Sequence, residues 1–252
     1  MRENKLRQMV ADGGKIANAW LAIPSSISAE VVAHAGFPSV TVDMQHGMVE
    51  LQAAFSMFQA ISTTDAVPMA RVNWNDPAMI MKALDAGAYG IICPMVNNRE
   101  QAEAFVGACR YAPVGYRSIG APRGALYGGA DYYAKANETV LAIAMIETAE
   151  AMSNLDEIMS VPTLDGIYIG PNDLARSIGY PPKPDPEEPE VVAAIDTILA
   201  AAKRHNLMAC IHTSGGDMAK RYFARGFDLC TLMNEVGLMA QKCREAIAEA
   251  HS

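Results

Sequence analysis

Five polar side chains in this chain stand at the ends of apolar runs. Asp43 and His46 follow PSVTV, Arg71 closes VPMAR, Glu147 closes VLAIAMIE, and Asp173 follows GIYIGPN. A carboxylate carried into a core needs a cation, because burying an uncompensated charge is costly. If Glu147 and Asp173 share one space, their like charges ask for a divalent ion. With only two protein ligands, much of the ion's shell falls to water and substrate, which suits Mg²⁺ or Mn²⁺ rather than a structural zinc. The alternative is a salt bridge from each carboxylate to a nearby arginine. Asp43 and His46 make an acid/base pair in which the carboxylate sets the ring's tautomer and basicity; the bland reading of His46 is packing or surface. Arg71 cannot lose its charge and must meet an anion: Glu147, Asp43 or a substrate oxyanion.

These residues need a scaffold that brings strand ends together. Apolar runs at 16–23, 39–44, 67–72, 90–96, 140–147, 164–170, 207–213 and 227–233 are nearly continuous, as in strands buried on both faces. Amphipathic stretches separate them, several closed by glycine. Eight such units predict an α/β fold of the (β/α)8 TIM-barrel class, with sites at the C-terminal strand ends. An open doubly wound sheet is the alternative. No linker or internal repeat interrupts the chain, so residues 1–252 are expected to form one domain. Two irregular stretches, 112–135 and 179–190, each follow a candidate strand and so could loop over the mouth; for the second, a rigid surface loop is the favoured reading.

Other features narrow the chemistry. Gly170, Pro171, Asn172 and Asp173 form a strand end, a tight turn and a helix start, where the free N–H groups of Asn172 and Asp173 suit an anionic substrate group. A plain Asp helix cap is the other reading. None of the eight lysines falls at a strand end, so Schiff-base chemistry has no candidate, and a metal must serve as electron sink for any carbanion. No GxSxG elbow, GxGxxG or GKS/T loop is present. Asp85, in KALDAG before the fourth strand, lies at the far end of the barrel from the site. The five cysteines, without a CxxC pair, read as buried reduced thiols.

The chain has 252 residues, 51% of them hydrophobic, enough for one large core. The net charge of −8 argues against nucleic acid as a partner. No run reaches the roughly 20 apolar residues of a membrane span, and the N-terminus lacks a signal-peptide core. A cytoplasmic protein is expected.

Together, Asp43–Met44–Gln45–His46–Gly47, Arg71, LDAG with Asp85, PMVN, CRYAPVGYRSIG, IET with Glu147 and IGPNDL with Asp173 resemble the HpcH/HpaI aldolases, over about residues 15–240. The resemblance implies a class II aldolase that reversibly cleaves a 4-hydroxy-2-oxo acid into pyruvate, or a related 2-oxo acid, and an aldehyde through a metal-stabilised enolate. It implies Mg²⁺, Mn²⁺ or Co²⁺ held by Glu147 and Asp173, Arg71 on the enolate oxygen, and His46, oriented by Asp43, moving the proton of the 4-hydroxyl. It also implies a homo-oligomer, trimer or hexamer, with the last helix exchanged between subunits and Asp85 serving a neighbour's site. A decarboxylase, a CoA-thioester lyase or a non-catalytic metabolite-binding barrel are the other readings. The chain departs from the family pattern at Met145, where glutamine is familiar; at His212, where an aliphatic residue is common; and at Asn234–Glu235, which replaces Asp-Thr. Those residues and Trp20 are expected on the aldehyde side of the pocket.

Overall fold

The computed structural model describes residues 1–251. Helix α1 (Lys5–Ala11) precedes a barrel of β1 (Ile16–Leu21), α2 (Ser26–His34), β2 (Ser39–Asp43), α3 (Leu51–Ile61), β3 (Val67–Arg71), α4 (Pro77–Asp85), β4 (Gly90–Cys93) and α5 (Arg99–Cys109). It continues with α6 (Pro122–Gly128), α7 (Tyr132–Thr139), β5 (Leu141–Met145), α8 (Ala149–Ser153), α9 (Leu155–Met159), β6 (Gly166–Ile169) and α10 (Pro171–Ser177). The last units are α11 (Pro189–Arg204), β7 (Met208–His212), α12 (Gly216–Arg225), β8 (Leu229–Asn234) and α13 (Glu235–Ala250). The eight strands pair in parallel and in chain order, and β8 closes onto β1. Among the described residues no helix is long and apolar enough to cross a membrane.

Side chains alternate across each strand, so every second residue faces the axis. Ile16 and Trp20, Met69, Ile143 and Met145, Tyr168 and Cys210 fill the interior, while Val40, Val42, Ala70, Ile91 and Ile167 pack against the helices. This parity explains why the strands read as unbroken apolar runs. It also carries the inward register on to the strand ends: Trp20, Asp43, Arg71, Met145 and His212 all continue an inward row. The helices start on local chemistry. Ser25, Asp76, Asn98 and Thr148 each accept a first-turn N–H, and Pro77 follows Asp76 at the first helical position.

The N-terminal end is plugged. Leu6 of α1 is fully buried in the interior cluster. Asp165, just before β6, receives Arg7 Nη2 at 2.7 Å and Arg110 Nη2 at 2.5 Å, and Arg110 is entirely buried.

Several expectations change. Residues 112–135 follow a helix rather than a strand and so belong to the plugged end, away from the mouth. They carry α6 and the first half of α7; Arg123 of α6 donates to the Ala86 carbonyl at 2.7 Å, and Arg2 N donates to the Gly128 carbonyl at 2.6 Å. The glycines and tyrosines that suggested a loop are packing contacts: a Cβ on Gly128 would stand 2.5 Å from the Tyr132 ring. The 179–190 stretch does follow β6, and its Pro184 lines a cavity beside Asn172 and His212. Cys93, Cys109, Cys210 and Cys230 are buried, but Cys243 is exposed, because α13 runs off the barrel surface. Of α13 only Glu235 is buried, while Val236, Leu238, Met239 and Ile247 are exposed.

Candidate active site

At the C-terminal end of the strands lies a cavity of about 240 Å³, lined by Trp20, Ala22, Asp43, His46, Arg71, Met145, Tyr168, Gly170, Pro171, Asn172, Asp173, His212 and Asn234. Adjacent parallel strands in register set its centre: Asp43 pairs directly with Arg71 across β2 and β3. Arg71 donates from Nε to Asp43 Oδ1 at 2.8 Å and from Nη2 to Oδ2 at 2.6 Å, a two-pronged pair. The guanidinium also stacks on Trp20, 4.8 Å from the ring centroid, and Trp20 Nε1 donates to Asp43 Oδ2 at 3.1 Å. Burial opposes ionisation of Asp43, but the hydrogen bond and charge of Arg71, with Trp20 and the Gln45 N–H, hold its carboxyl below the usual range. The anion that Arg71 meets in the protein is therefore Asp43.

Asp43 does not touch the His46 ring. Its Oδ1 accepts from the backbone N–H of Gln45 at 3.1 Å and of His46 at 3.3 Å, so it shapes the loop that carries His46. The expected carboxylate–imidazole contact gives way because both Asp43 oxygens are already committed to Arg71 and Trp20. His46 itself is exposed at the cavity wall.

Glu147 lies two residues beyond β5 and is 2% exposed. One oxygen, Oε1, accepts from the Met95 N–H at 2.9 Å. Met95 holds a left-handed φ of 56°, a sparsely populated conformation for a non-glycine residue, which aims that N–H at the carboxylate. The other oxygen faces Gly170: a Cβ there would sit 2.5 Å from Oε2, so only glycine lets the strand end approach. No ion pair reaches Glu147 or Asp173 among the described residues. Burial pushes the Glu147 carboxyl up to about 7; the Met95 hydrogen bond opposes this, the negative charge of Asp173 adds to it, and Arg71 offsets part. Asp173 stands exposed in the first turn of α10. The described residues contain no cluster of three or more His, Cys, Asp or Glu side chains suited to a metal, so any ion here rests on these two carboxylates. An orphaned, buried carboxylate coupled to a second acid fits a divalent ion with most of its shell open.

The remaining sequence candidates are placed as follows. Trp20, Gly170, Pro171, Asn172, Asp173 and His212 come together around the cavity, with Met145 and Asn234. Asn234 also caps α13, accepting from the Gly237 N–H at 2.9 Å, while Glu235 turns away and accepts from the N–H groups of Ala22 and Ile23 at 2.7 Å, closing the end of β1. Asp85 is not brought to the cavity of its own chain. It pairs with Arg117 Nη2 at 2.9 Å and lines a separate groove with Leu51, Phe55 and Arg123. Two contributors were not singled out from sequence. Tyr168 lines the cavity from an inward position of β6, and its signal is a phenol in an otherwise aliphatic buried strand. The Met95 backbone N–H left no sequence signal, since its role lies in a dihedral angle.

An eight-stranded parallel barrel with two acids, a paired arginine and a histidine at its mouth has the architecture of a barrel enzyme. Residues 17–241 match the model of the HpcH/HpaI aldolase/citrate lyase family, and the chain belongs to that family. It is 41% identical over 249 residues to a hydroxypyruvate/pyruvate aldolase of Rhizorhabdus wittichii, covering 99% of each chain. It is 34% identical over 249 residues to a 4-hydroxy-2-oxo-heptane-1,7-dioate aldolase of Escherichia coli, covering 98% of this chain and 94% of that one. Among solved structures, an HpcH/HpaI aldolase/citrate lyase family protein from Burkholderia cenocepacia superposes with a TM-score of 0.92 at 29% identity, covering 99% of this chain and all of the other.

Proposed function

We propose that the chain is a class II pyruvate aldolase, reversibly joining a small 2-oxo acid such as pyruvate to an aldehyde. The carrying observation is the buried Glu147 carboxylate, which has no cation partner among the described residues and lies under the influence of Asp173. Glu147 and Asp173 would hold a Mg²⁺, Mn²⁺ or Co²⁺ ion, which when bound supplies Lewis-acid polarisation of the 2-oxo acid. The names of the two aldolase relatives support the same substrate class.

The chain's own residues then divide the work. Arg71, rigidly set by Asp43 and Trp20, faces the oxygen on which charge develops when the C3–C4 bond breaks. Because Asp43 fixes it beforehand, it needs little reorganisation as charge appears, and one such contact is typically worth about 3 to 4 kcal/mol of barrier. His46 at the wall moves the proton of the 4-hydroxyl, directly or through a water. The free N–H groups of Asn172 and Asp173 receive the substrate carboxylate. Met145, Trp20 and His212 wall the aldehyde side.

The exposed apolar residues of α13 belong, on this reading, against a neighbouring copy, making a trimer or hexamer in which Asp85 serves a neighbour's His46. Light scattering of the full chain tests the assembly: a monomer removes that role from Asp85. The function itself is tested by deuterium exchange into the methyl group of pyruvate, followed by NMR with Mg²⁺ or Mn²⁺ and with chelator. Metal-dependent exchange is expected; no exchange with any divalent ion would leave a binding barrel.

A further inference from the structure

The hydrogen position on His212 is set from the opposite side of the barrel. A chain of inward polar groups crosses the interior: Ser39 Oγ and Thr41 Oγ1 lie 2.8 and 3.1 Å from Asn18 Oδ1, and Asn18 Nδ2 lies 2.9 Å from Thr231 Oγ1. The Thr231 and Tyr168 hydroxyls are 2.7 Å apart, and Tyr168 Oη is 3.2 Å from His212 Nδ1. All of these residues except His212 are fully buried. Each hydroxyl owns one hydrogen, and a buried hydrogen without an acceptor is costly.

Ser39 and Thr41 have no acceptor but Asn18 Oδ1, so both donate to it and the Asn18 amide must present N–H to Thr231. Thr231 Oγ1, already accepting, has only Tyr168 left to receive its hydrogen. Tyr168 therefore donates onward to His212 Nδ1. The reverse direction strands the Thr231 hydrogen, and flipping the Asn18 amide strands those of Ser39 and Thr41. With Nδ1 bare, the neutral ring carries its proton on Nε2. Burial, aided by the Arg71 charge and opposed by Asp43, holds the imidazole down at about 4, so the ring stays neutral under ordinary conditions. Trp20 fixes the ring's plane, edge to face at 5.3 Å. The Nε2–H has no partner among the described residues, and His212 lines the cavity that holds Arg71 and Asp173.

We propose that His212 is a specificity-determining residue whose Nε2–H donates to a hydroxyl oxygen of the substrate, selecting hydroxylated substrates over their alkyl counterparts. The inference rests on the aldolase reading. The hydroxyl is carried either by C3 of the 2-oxo acid, as in hydroxypyruvate, or by the carbon next to the aldehyde, as in glycolaldehyde, and the two are separated by changing one partner at a time.

The first measurement is structural. Nitrogen-15 NMR of the full-length protein should show the His212 ring as the Nε2–H tautomer near pH 7, and an Nδ1–H tautomer or an imidazolium would overturn the proposal. The second compares kcat/KM for hydroxypyruvate against pyruvate with one aldehyde, and for glycolaldehyde against acetaldehyde with one 2-oxo acid. His212→Leu should lower one of the two ratios roughly 10- to 100-fold, and Tyr168→Phe, which removes the hydroxyl that holds Nδ1, should lower the same ratio less. Equal losses for hydroxylated and alkyl substrates would reduce His212 to packing and refute the assignment. Pyruvate methyl exchange by the unaltered enzyme separates the two levels: its absence overturns the aldolase reading, whereas exchange with unchanged ratios overturns only the role given to His212.

Discussion

The two ends of the barrel treat buried charge in opposite ways. At the plugged N-terminal end, Asp165 is met by Arg7, by Arg110 and by the Ala142 N–H, and Arg110 donates further to the Val140 and Thr163 carbonyls. Asp165 and Arg110 thus each have protein partners of opposite charge or complementary polarity. At the mouth, Asp43 and Arg71 are paired in the same manner, but Glu147 has one backbone N–H and, among the described residues, no cation. A paired charge ties strands and helices together. A buried carboxylate without a cation is costly, and a neighbouring acid adds to that cost.

The contrast can be broken most forcefully at Glu147. Glu147→Gln, close in shape to the native residue, should abolish metal-dependent methyl exchange of pyruvate, with a loss of roughly 1000-fold or more and a folded protein by circular dichroism. Full turnover in chelator would end the metal reading. Arg110→Ala addresses the opposite end. It should cost about 3 to 5 kcal/mol in denaturant unfolding while leaving turnover per folded molecule unchanged; lost turnover without lost stability would erase the distinction between the two ends.

The pH dependence sharpens the comparison. In metal-free protein the Glu147 carboxyl titrates at about 7 when folded, against an ordinary 4.5. A raised pKa favours folding while the group is protonated. That contribution is complete below pH 4.5 and is lost as pH rises through 7, a change of about 3 kcal/mol. With chelator present, Glu147→Gln should gain about 2.5 kcal/mol on the native chain between pH 5 and pH 8, and a parallel pair of stability profiles would refute the burial argument. A smaller effect is expected from Arg71→Lys. The charge remains, but the two-pronged contact with Asp43 and the stacking on Trp20 are lost, so kcat should fall roughly 100-fold with little change in metal affinity measured by titration calorimetry.

Much of the site was legible before the fold was known. Strand-end placement identified Asp43, His46, Arg71, Glu147 and Asp173, because an inward polar residue after a doubly buried strand has few other uses. Asp85 was read, from its position before β4, as lying far from its own chain's mouth, and it lines a separate groove. Other features were hidden. The 112–135 stretch looked like a lid, since glycine and tyrosine composition does not say which end of a barrel a segment covers. Asp43 was expected to hold the His46 ring, and nothing in the spacing showed that Arg71 and Trp20 would occupy both of its oxygens.

The sequence by itself determined the barrel, its inward and outward rows and the acids at its mouth, because strand periodicity and the cost of buried charge are local properties of the chain. Only the tertiary structure decided which charges are paired, that Met95 aims its N–H at Glu147, that Gly170 must lack a side chain, and that Ser39, Asn18, Thr231 and Tyr168 set the hydrogen on His212. Those outcomes depend on hydrogen-bond partners far apart in the chain, and a donor finds its acceptor only once the strands have closed.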